Sequence, residues 1–204
     1  MNNSATGKIG AIITGVSVFA FALSMLFGSI FTSCLASIFI AIGFLPFMVS
    51  IVVSNKDHER NAAGWTGIAF AVVYAVIIFL VYFAECTTVR MNGTLSEEAL
   101  SIISYGHTGS LFFNYDLLGY GFMGLSTFLV AFTVAPQSKG DAVLRTMLFL
   151  HGIFFLSCLI MPMFPIFTPG TSATIGVVIL EFWCLYFLPI CILGYRYFAK
   201  AERL

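Results

Sequence analysis

The chain has 204 residues, of which 60% are hydrophobic and 9% are charged, and its formal net charge is zero. Soluble domains carry about 25% charged residues, so this composition excludes an ordinary water-soluble domain. No basic stripe or nucleic-acid-binding motif occurs, which excludes nucleic acid as an expected partner. The expected surroundings are a lipid bilayer.

Long apolar runs predict an all-α membrane bundle that forms a single integral membrane domain over residues 1–204. A helix needs about 20 apolar residues to cross the hydrocarbon core of a bilayer. Six runs reach about that length, with short polar segments between most of them. We expect the six spans at about 9–27, 34–53, 64–84, 111–134, 144–166 and 173–197.

Glycine, proline and polar residues predict where these helices end or bend. Residues 28–33 contain Gly, Ser and Thr and predict a tight turn between the first two spans. Pro46 predicts a kink in the second span, and Pro162 and Pro165 predict a bend in the fifth. The polar run 136–141 ends the fourth span.

The one long connection runs from about residue 85 to 109. Within it, Thr94-Leu95-Ser96-Glu97 matches the capping-box pattern that opens a helix. The residues that follow predict a short amphipathic helix lying on the outer interface. An irregular loop is the alternative.

Lysine and arginine predict the orientation, because these residues are in excess in cytoplasmic loops. With six spans and a cytoplasmic start, the outside receives only Arg90. The inside receives Lys8, Lys56, Arg60, Lys139, Arg145, Arg196, Lys200 and Arg203. We therefore expect a multi-pass protein of the cell membrane with both termini cytoplasmic (N-in/C-in). Acidic residues should make the outer mouth negative.

Glu181 is the most informative polar residue, because it lies about eight residues inside the sixth span. A carboxylate at that depth is costly unless it is neutral, paired or hydrated, and it usually faces the bundle interior. The functional hypotheses are a counter-charge for a cation, a proton-handling group or a catalytic acid. A protonated, locally bonded structural residue is the alternative.

Three more residues are candidates for ligand binding or proton handling. His151 lies about seven residues inside the fifth span, where a proton relay to Glu181 competes with a structural histidine. Asp116 and Tyr74 complete the candidate set, with Asp116 at the outer end of the fourth span. The run Asn114-Tyr115-Asp116 is also a candidate N-terminal cap for that span.

Glu85, His107 and Asp116 map to the same outer end, where we expect a solvated acidic rim rather than a metal site. Their spacing matches no metal-binding motif. Cys34 and Cys86 also map to this end, so a disulfide between them is a hypothesis. We predict no metal and no cofactor.

The leading functional hypothesis is a small-solute binding or transport subunit with a buried carboxylate as its counter-charge. The chain has no nucleotide-binding loop and no catalytic motif, which disfavours an enzyme. Two alternatives stay open: a membrane-embedded enzyme acting on a lipid-like substrate, and an accessory or sensory scaffold. The scaffold hypothesis implies a partner, either another membrane protein or a second copy of this chain.

Overall fold

The computed structural model describes residues 2–91, 93, 95–164 and 173–201, and all regular elements in these ranges are helical. The predicted all-α class is therefore confirmed. A 3₁₀ turn precedes the third helix at His58–Arg60, and a π-helical turn extends it at Glu85–Val89. In chain order, the helices are α1 (Asn3–Leu26), α2 (Ile30–Val53), α3 (Asn61–Ala84), α4 (Glu97–Ile103), α5 (Leu111–Ala131), α6 (Lys139–His151), α7 (Ile153–Met163) and α8 (Ala173–Ala201).

Membrane character is carried by five helical stretches that are long and apolar enough to cross a bilayer. Within the described residues, they are Asn3–Leu26, Ile30–Val53, Asn61–Val89, Lys139–Met163 and Ile175–Lys200. The remaining long helix, α5, has 21 residues but is less apolar, because it includes Asn114, Asp116 and several glycines. The predicted membrane class therefore holds, with five candidate spans rather than six.

The outer surface of these helices is strongly apolar. Val16, Leu80 and Leu185 are 64%, 68% and 70% exposed, and they belong to three different helices. Water would penalise such a surface, whereas hydrocarbon would not. The exposed side chains therefore fit a bilayer as the surrounding medium.

The long helices form a closed ring that runs through α1, α2, α3, α5, α6 and α8 and returns to α1. Contacts join α1 to α2, α2 to α3, α3 to α5 and α5 to both α6 and α7, while α8 contacts α6 and α1. A smaller contact between α2 and α5 crosses the interior. The α4 end of the bundle carries the turn at 27–29, α4 and the segment Ser104–Ser110. The Arg60 end carries the segments 54–60 and 132–138.

The turn between α1 and α2 closes at Gly28, whose φ of +67° favours glycine. Ser29 N donates to Ser24 O at 2.9 Å and Gly28 N donates to Met25 O at 3.1 Å, which is the Schellman pattern of a helix end. The turn predicted at residues 28–33 is thus shorter than expected. Helix α2 already begins at Ile30.

Thr32 and Ser33 were expected in that turn, yet both lie inside α2. The Thr32 hydroxyl donates to Ser29 O at 3.2 Å and the Ser33 hydroxyl donates to Ile30 O at 2.8 Å. Such bonds to the preceding turn let hydroxyl residues stay in a membrane helix without water. The sequence prediction was wrong here because it treated polar residues as helix breakers.

The fifth predicted span, 144–166, begins earlier than expected and is broken at a different residue. Helix α6 begins at Lys139, because the Ser138 side chain accepts from Asp141 N at 3.4 Å and forms the cap. The helix is interrupted at Gly152, where an added Cβ would lie 2.8 Å from the side chain of Phe128. Pro162 lies inside α7, and Pro165 lies outside the described residues.

The short helix predicted in the long connection is confirmed as α4. Its cap is Ser96, whose side chain accepts from Ala99 N at 3.2 Å. The predicted cap, Thr94, lies outside the described residues. Ser110 caps α5 by accepting from Phe113 N at 3.2 Å, so Asn114-Tyr115-Asp116 is not the cap of that helix.

Helices α1 and α2 approach most closely at Gly10 and Gly43. A Cβ on Gly10 would lie 2.6 Å from Phe47 N and 2.8 Å from Gly43 O, which are backbone atoms that cannot rotate away. A Cβ on Gly43 would lie 2.6 Å from Thr14 N. Small residues permit this backbone contact between membrane helices.

We predict that Gly10→Ala lowers the free energy of unfolding by about 1–3 kcal/mol, because the methyl group must push the two backbones apart. The measurement is denaturant unfolding in mixed micelles. The matched control is Gly140→Ala in α6, where the nearest atom to an added Cβ is Ser138 Oγ at 3.9 Å. Equal unfolding midpoints for the two variants would contradict the close approach.

Candidate functional site

Asp116 is buried in the second turn of α5, with 5% of its surface exposed. The Tyr82 hydroxyl donates to its Oδ1 at 2.6 Å. Among the described residues, its carboxyl group receives no other hydrogen bond and no ion pair. Asp116 is therefore a buried carboxyl group with one neutral partner.

Helical spacing explains why tyrosines surround Asp116. On α5, Asp116 and Tyr120 are four residues apart and lie on one face. On α3, Tyr74, Ile78 and Tyr82 are also four residues apart and fully buried. Because α3 and α5 pack together, Tyr82 meets Asp116, while the Tyr74 and Tyr120 rings meet edge to face with centroids 5.6 Å apart.

Helix α2 closes the third side of this site. The Tyr120 hydroxyl donates to Ser37 Oγ at 3.4 Å, and the side chains of Ser37 and Cys34 are both fully buried. Helices α2, α3 and α5 thus enclose one group of polar side chains, which we call the polar cluster. Its members are Cys34, Ser37, Tyr74, Tyr82, Asp116 and Tyr120.

Two buried hydroxyl groups, one in the cluster and one further along α5, have no hydrogen-bond partner among the described residues. Tyr74 is fully buried and its hydroxyl bonds to no described atom; Ser126 Oγ on α5 is in the same condition. Most buried polar side-chain atoms in proteins have a partner, which is often an ordered water. These two groups therefore retain unused capacity to bind water or a polar ligand.

The segment Ser104–Ser110 covers the cluster at the α4 end. Glu85, in the π-helical turn after α3, accepts a hydrogen bond from Tyr105 N and one from Ser104 Oγ at 3.4 Å. The Tyr105 ring packs edge to face on Tyr82 at 5.4 Å. Burial raises the pKa of the Tyr105 phenol well above its usual range, so the phenol stays neutral.

Glu85 and His107 do not form the solvated acidic rim that the sequence predicts. Glu85 is only 6% exposed and holds the covering segment, whereas His107 is exposed and lines a shallow surface groove of about 790 Å³. The described residues contain no group of three His, Cys, Asp or Glu side chains that could hold a metal ion.

His151 is fully buried and both of its ring nitrogens have partners. Trp183 Nε1 donates to Nε2 at 3.0 Å, and Nδ1 lies 2.8 Å from Thr127 Oγ1, whose hydroxyl donates to Gly124 O. Nε2 must therefore be unprotonated and Nδ1 must carry the proton. This arrangement fits the structural alternative for His151 better than a proton relay.

Glu181 is half-buried on α8, and its Oε1 has no hydrogen-bond partner. No described hydrogen bond joins it to His151; the α8 residue that donates a hydrogen bond to His151 is Trp183. Trp183 also packs edge to face on Tyr120 at 5.2 Å, so it connects the histidine with the polar cluster. The role predicted for Glu181 stays a prediction.

Cys34 and Cys86 are both free thiols in the structure. Cys34 is fully buried in α2, and Cys86 lies across from the same helix with its Sγ 4.0 Å from Phe31 O. Their common location at the α4 end agrees with the sequence hypothesis. The disulfide itself stays a prediction.

The sequence reasoning found Asp116 and Tyr74 but missed Tyr82, Tyr120 and Trp183. A usable signal existed, because Tyr120 follows Asp116 by four residues and Tyr82 follows Tyr74 by eight. Both spacings put the pair on one helix face. Which helix faces which could not be read from spacing alone.

Comparison of the chain with models of protein families, with curated proteins and with solved structures gave no match.

We predict that Glu85→Gln loosens the covering segment, because a neutral amide accepts weaker hydrogen bonds than a carboxylate. The expected result is faster hydrogen exchange at the amide of Tyr105, measured by mass spectrometry of the protein in detergent. The control is Glu97→Gln, which changes an exposed carboxylate on α4. Unchanged exchange at Tyr105 in Glu85→Gln would contradict the anchoring role of Glu85.

Proposed function

We propose that the chain is a membrane protein that binds or transports a small cationic solute, with Asp116 as the buried counter-charge. The observation that carries the proposal is that Asp116 is buried with one hydroxyl partner, and that no Lys, Arg or His among the described residues forms an ion pair with it. The proposal keeps the predicted class of function. It moves the counter-charge from Glu181 to Asp116.

Energetics support this role. Moving an unpaired carboxylate out of water costs far more than one hydrogen bond returns, so Asp116 stays neutral or meets a cation. A stability role alone is weak support for such a residue, because an apolar side chain would fill the space at lower cost. Ionisable groups inside membrane segments usually mark solute, ion or proton pathways.

Charge at the α4 end supports entry from that side. Glu97 and Glu98 are exposed there, and the Arg90 guanidinium lies over the Phe31 ring at 4.1 Å. A negative surface raises the local concentration of cations and their rate of association. The covering segment would then have to open before a solute reached Asp116.

For the arrangement in the membrane, we propose six spans: the five long apolar helical stretches and, in addition, α5. We propose that both termini are cytoplasmic and that the protein lies in the cell membrane. Asp116 and Tyr120 of α5 bond to α3 and α2, and Ser126 and Thr127 are fully buried, so these polar residues need no contact with lipid. Seven Lys and Arg residues map to the Arg60 end or its adjoining helix ends, against Arg90 alone at the other. Active transport would require ion coupling or a partner ATPase.

The second candidate is an accessory scaffold. It is favoured by the packed surroundings of His151, whose ring is fully buried and hydrogen-bonded at both nitrogens. The enzyme alternative has less support, because no described hydrogen bond joins Asp116, His151 and Glu181 to one another.

The main prediction concerns Asp116→Asn, which removes the counter-charge and keeps the shape. Methylammonium should raise the unfolding midpoint of the unmodified chain in detergent and release protons into a weakly buffered solution. A ligand at 100 times its Kd stabilises by about 2.7 kcal/mol. Asp116→Asn should lose both effects, because an amide cannot neutralise the ammonium group.

Two controls accompany this experiment. Glu97→Gln changes an exposed carboxylate and should leave both effects intact, whereas Glu181→Gln separates the two candidate counter-charges. Stabilisation that survives in Asp116→Asn but disappears in Glu181→Gln would return the role to Glu181. Absence of any effect on the unmodified chain would overturn the proposal and favour the scaffold.

A labelling experiment tests the orientation. In a Cys86→Ser background, a membrane-impermeant maleimide should label Glu98→Cys in intact cells, because Glu98 is exposed at the α4 end. Lys139→Cys, exposed at the Arg60 end, should be labelled only after permeabilisation. The reverse pattern would invert the proposed topology.

A further inference from the structure

Helices α1 and α8 leave an apolar groove of about 470 Å³ on the outer surface of the bundle. The helices are antiparallel there, because Gly7 lies against Phe198 and Gly15 lies against Cys191. No member of the polar cluster lines the groove. Its lining is Ala11, Ile12, Gly15, Val16, Phe19, Leu188, Cys191, Ile192, Tyr195 and Arg196.

The groove is apolar along its length and cationic at one end. Arg196 and Tyr195 are its members nearest the Arg60 end, and both are exposed. Arg196 forms no ion pair with any described residue. A planar guanidinium binds phosphate oxygens in pairs, and tyrosine is enriched at the level of lipid head groups.

The length of the groove matches one leaflet of a bilayer. Arg196 and Leu188 are eight residues apart on α8, which corresponds to about 12 Å at a rise of 1.5 Å per residue. Half of a hydrocarbon core of roughly 30 Å is about 15 Å. An acyl chain that follows the groove would therefore end near the middle of the bilayer.

We propose that this groove binds one anionic phospholipid, with an acyl chain between α1 and α8 and the phosphate paired with Arg196. The exposed guanidinium selects a lipid with net negative charge over a zwitterionic one. The site is separate from Asp116 and does not depend on the function proposed above. Tyr195 lies at the level of the head group.

Native mass spectrometry of the delipidated chain tests the proposal, with phosphatidylglycerol and phosphatidylcholine of identical acyl chains as probes. Arg196→Gln should lower retention of phosphatidylglycerol about fivefold, since a basic residue contributes about 1 kcal/mol toward anionic lipid. Retention of phosphatidylcholine should change little. Arg196→Lys should retain most of the preference, because the charge remains.

A second variant tests the groove itself. Ile12 is half exposed, so Ile12→Trp fills the groove without entering the core and should lower retention of both lipids. The matched controls are Arg145→Gln on α6 and Val76→Trp on the exposed face of α3, which should retain lipid as the unmodified chain does. An unchanged lipid preference in Arg196→Gln, or unchanged retention in Ile12→Trp, would overturn the proposal.

Discussion

A polar group inside a hydrocarbon layer has no water with which to form hydrogen bonds, and the structure of this chain depends on that constraint. Hydroxyl side chains such as Ser33 bond to the preceding helical turn, and Gly28 closes the end of α1 by bonding back to it. His151 meets the same demand with Thr127 and Trp183. Asp116 is a fully enclosed carboxyl group that meets the demand with a single hydroxyl partner, Tyr82.

Asp116 is enclosed from the sides by helices and at the α4 end by the segment Ser104–Ser110. Helices α2, α3 and α5 bury the carboxyl group among tyrosines, while Glu85 attaches the segment that covers it. The π-helical turn after α3 directs Glu85 toward that segment rather than toward water. The same bundle thus buries a carboxyl group and covers it with a segment that Glu85 and the packing of Tyr105 on Tyr82 hold in place.

Two surfaces of the bundle have different chemistry. The α4 end is acidic and leads to the polar cluster, whereas the groove between α1 and α8 is apolar and ends at Arg196. We propose a small cation for the first and an anionic lipid for the second. Because they share no residue, the two proposals stand or fall separately.

The sequence by itself determined the helical membrane class, the approximate positions of the long helices and the presence of the short helix α4, because the lengths and patterns of apolar residues are local properties. The cap of α4 is Ser96 and was not predicted. The sequence also identified Asp116 and Tyr74, since polar residues inside apolar runs are conspicuous. Only the tertiary structure decided that Tyr82 bonds to Asp116, that Trp183 rather than Glu181 reaches His151, and that Glu85 is buried. Those outcomes depend on which helix faces pack together, and one sequence does not contain that information in any local pattern.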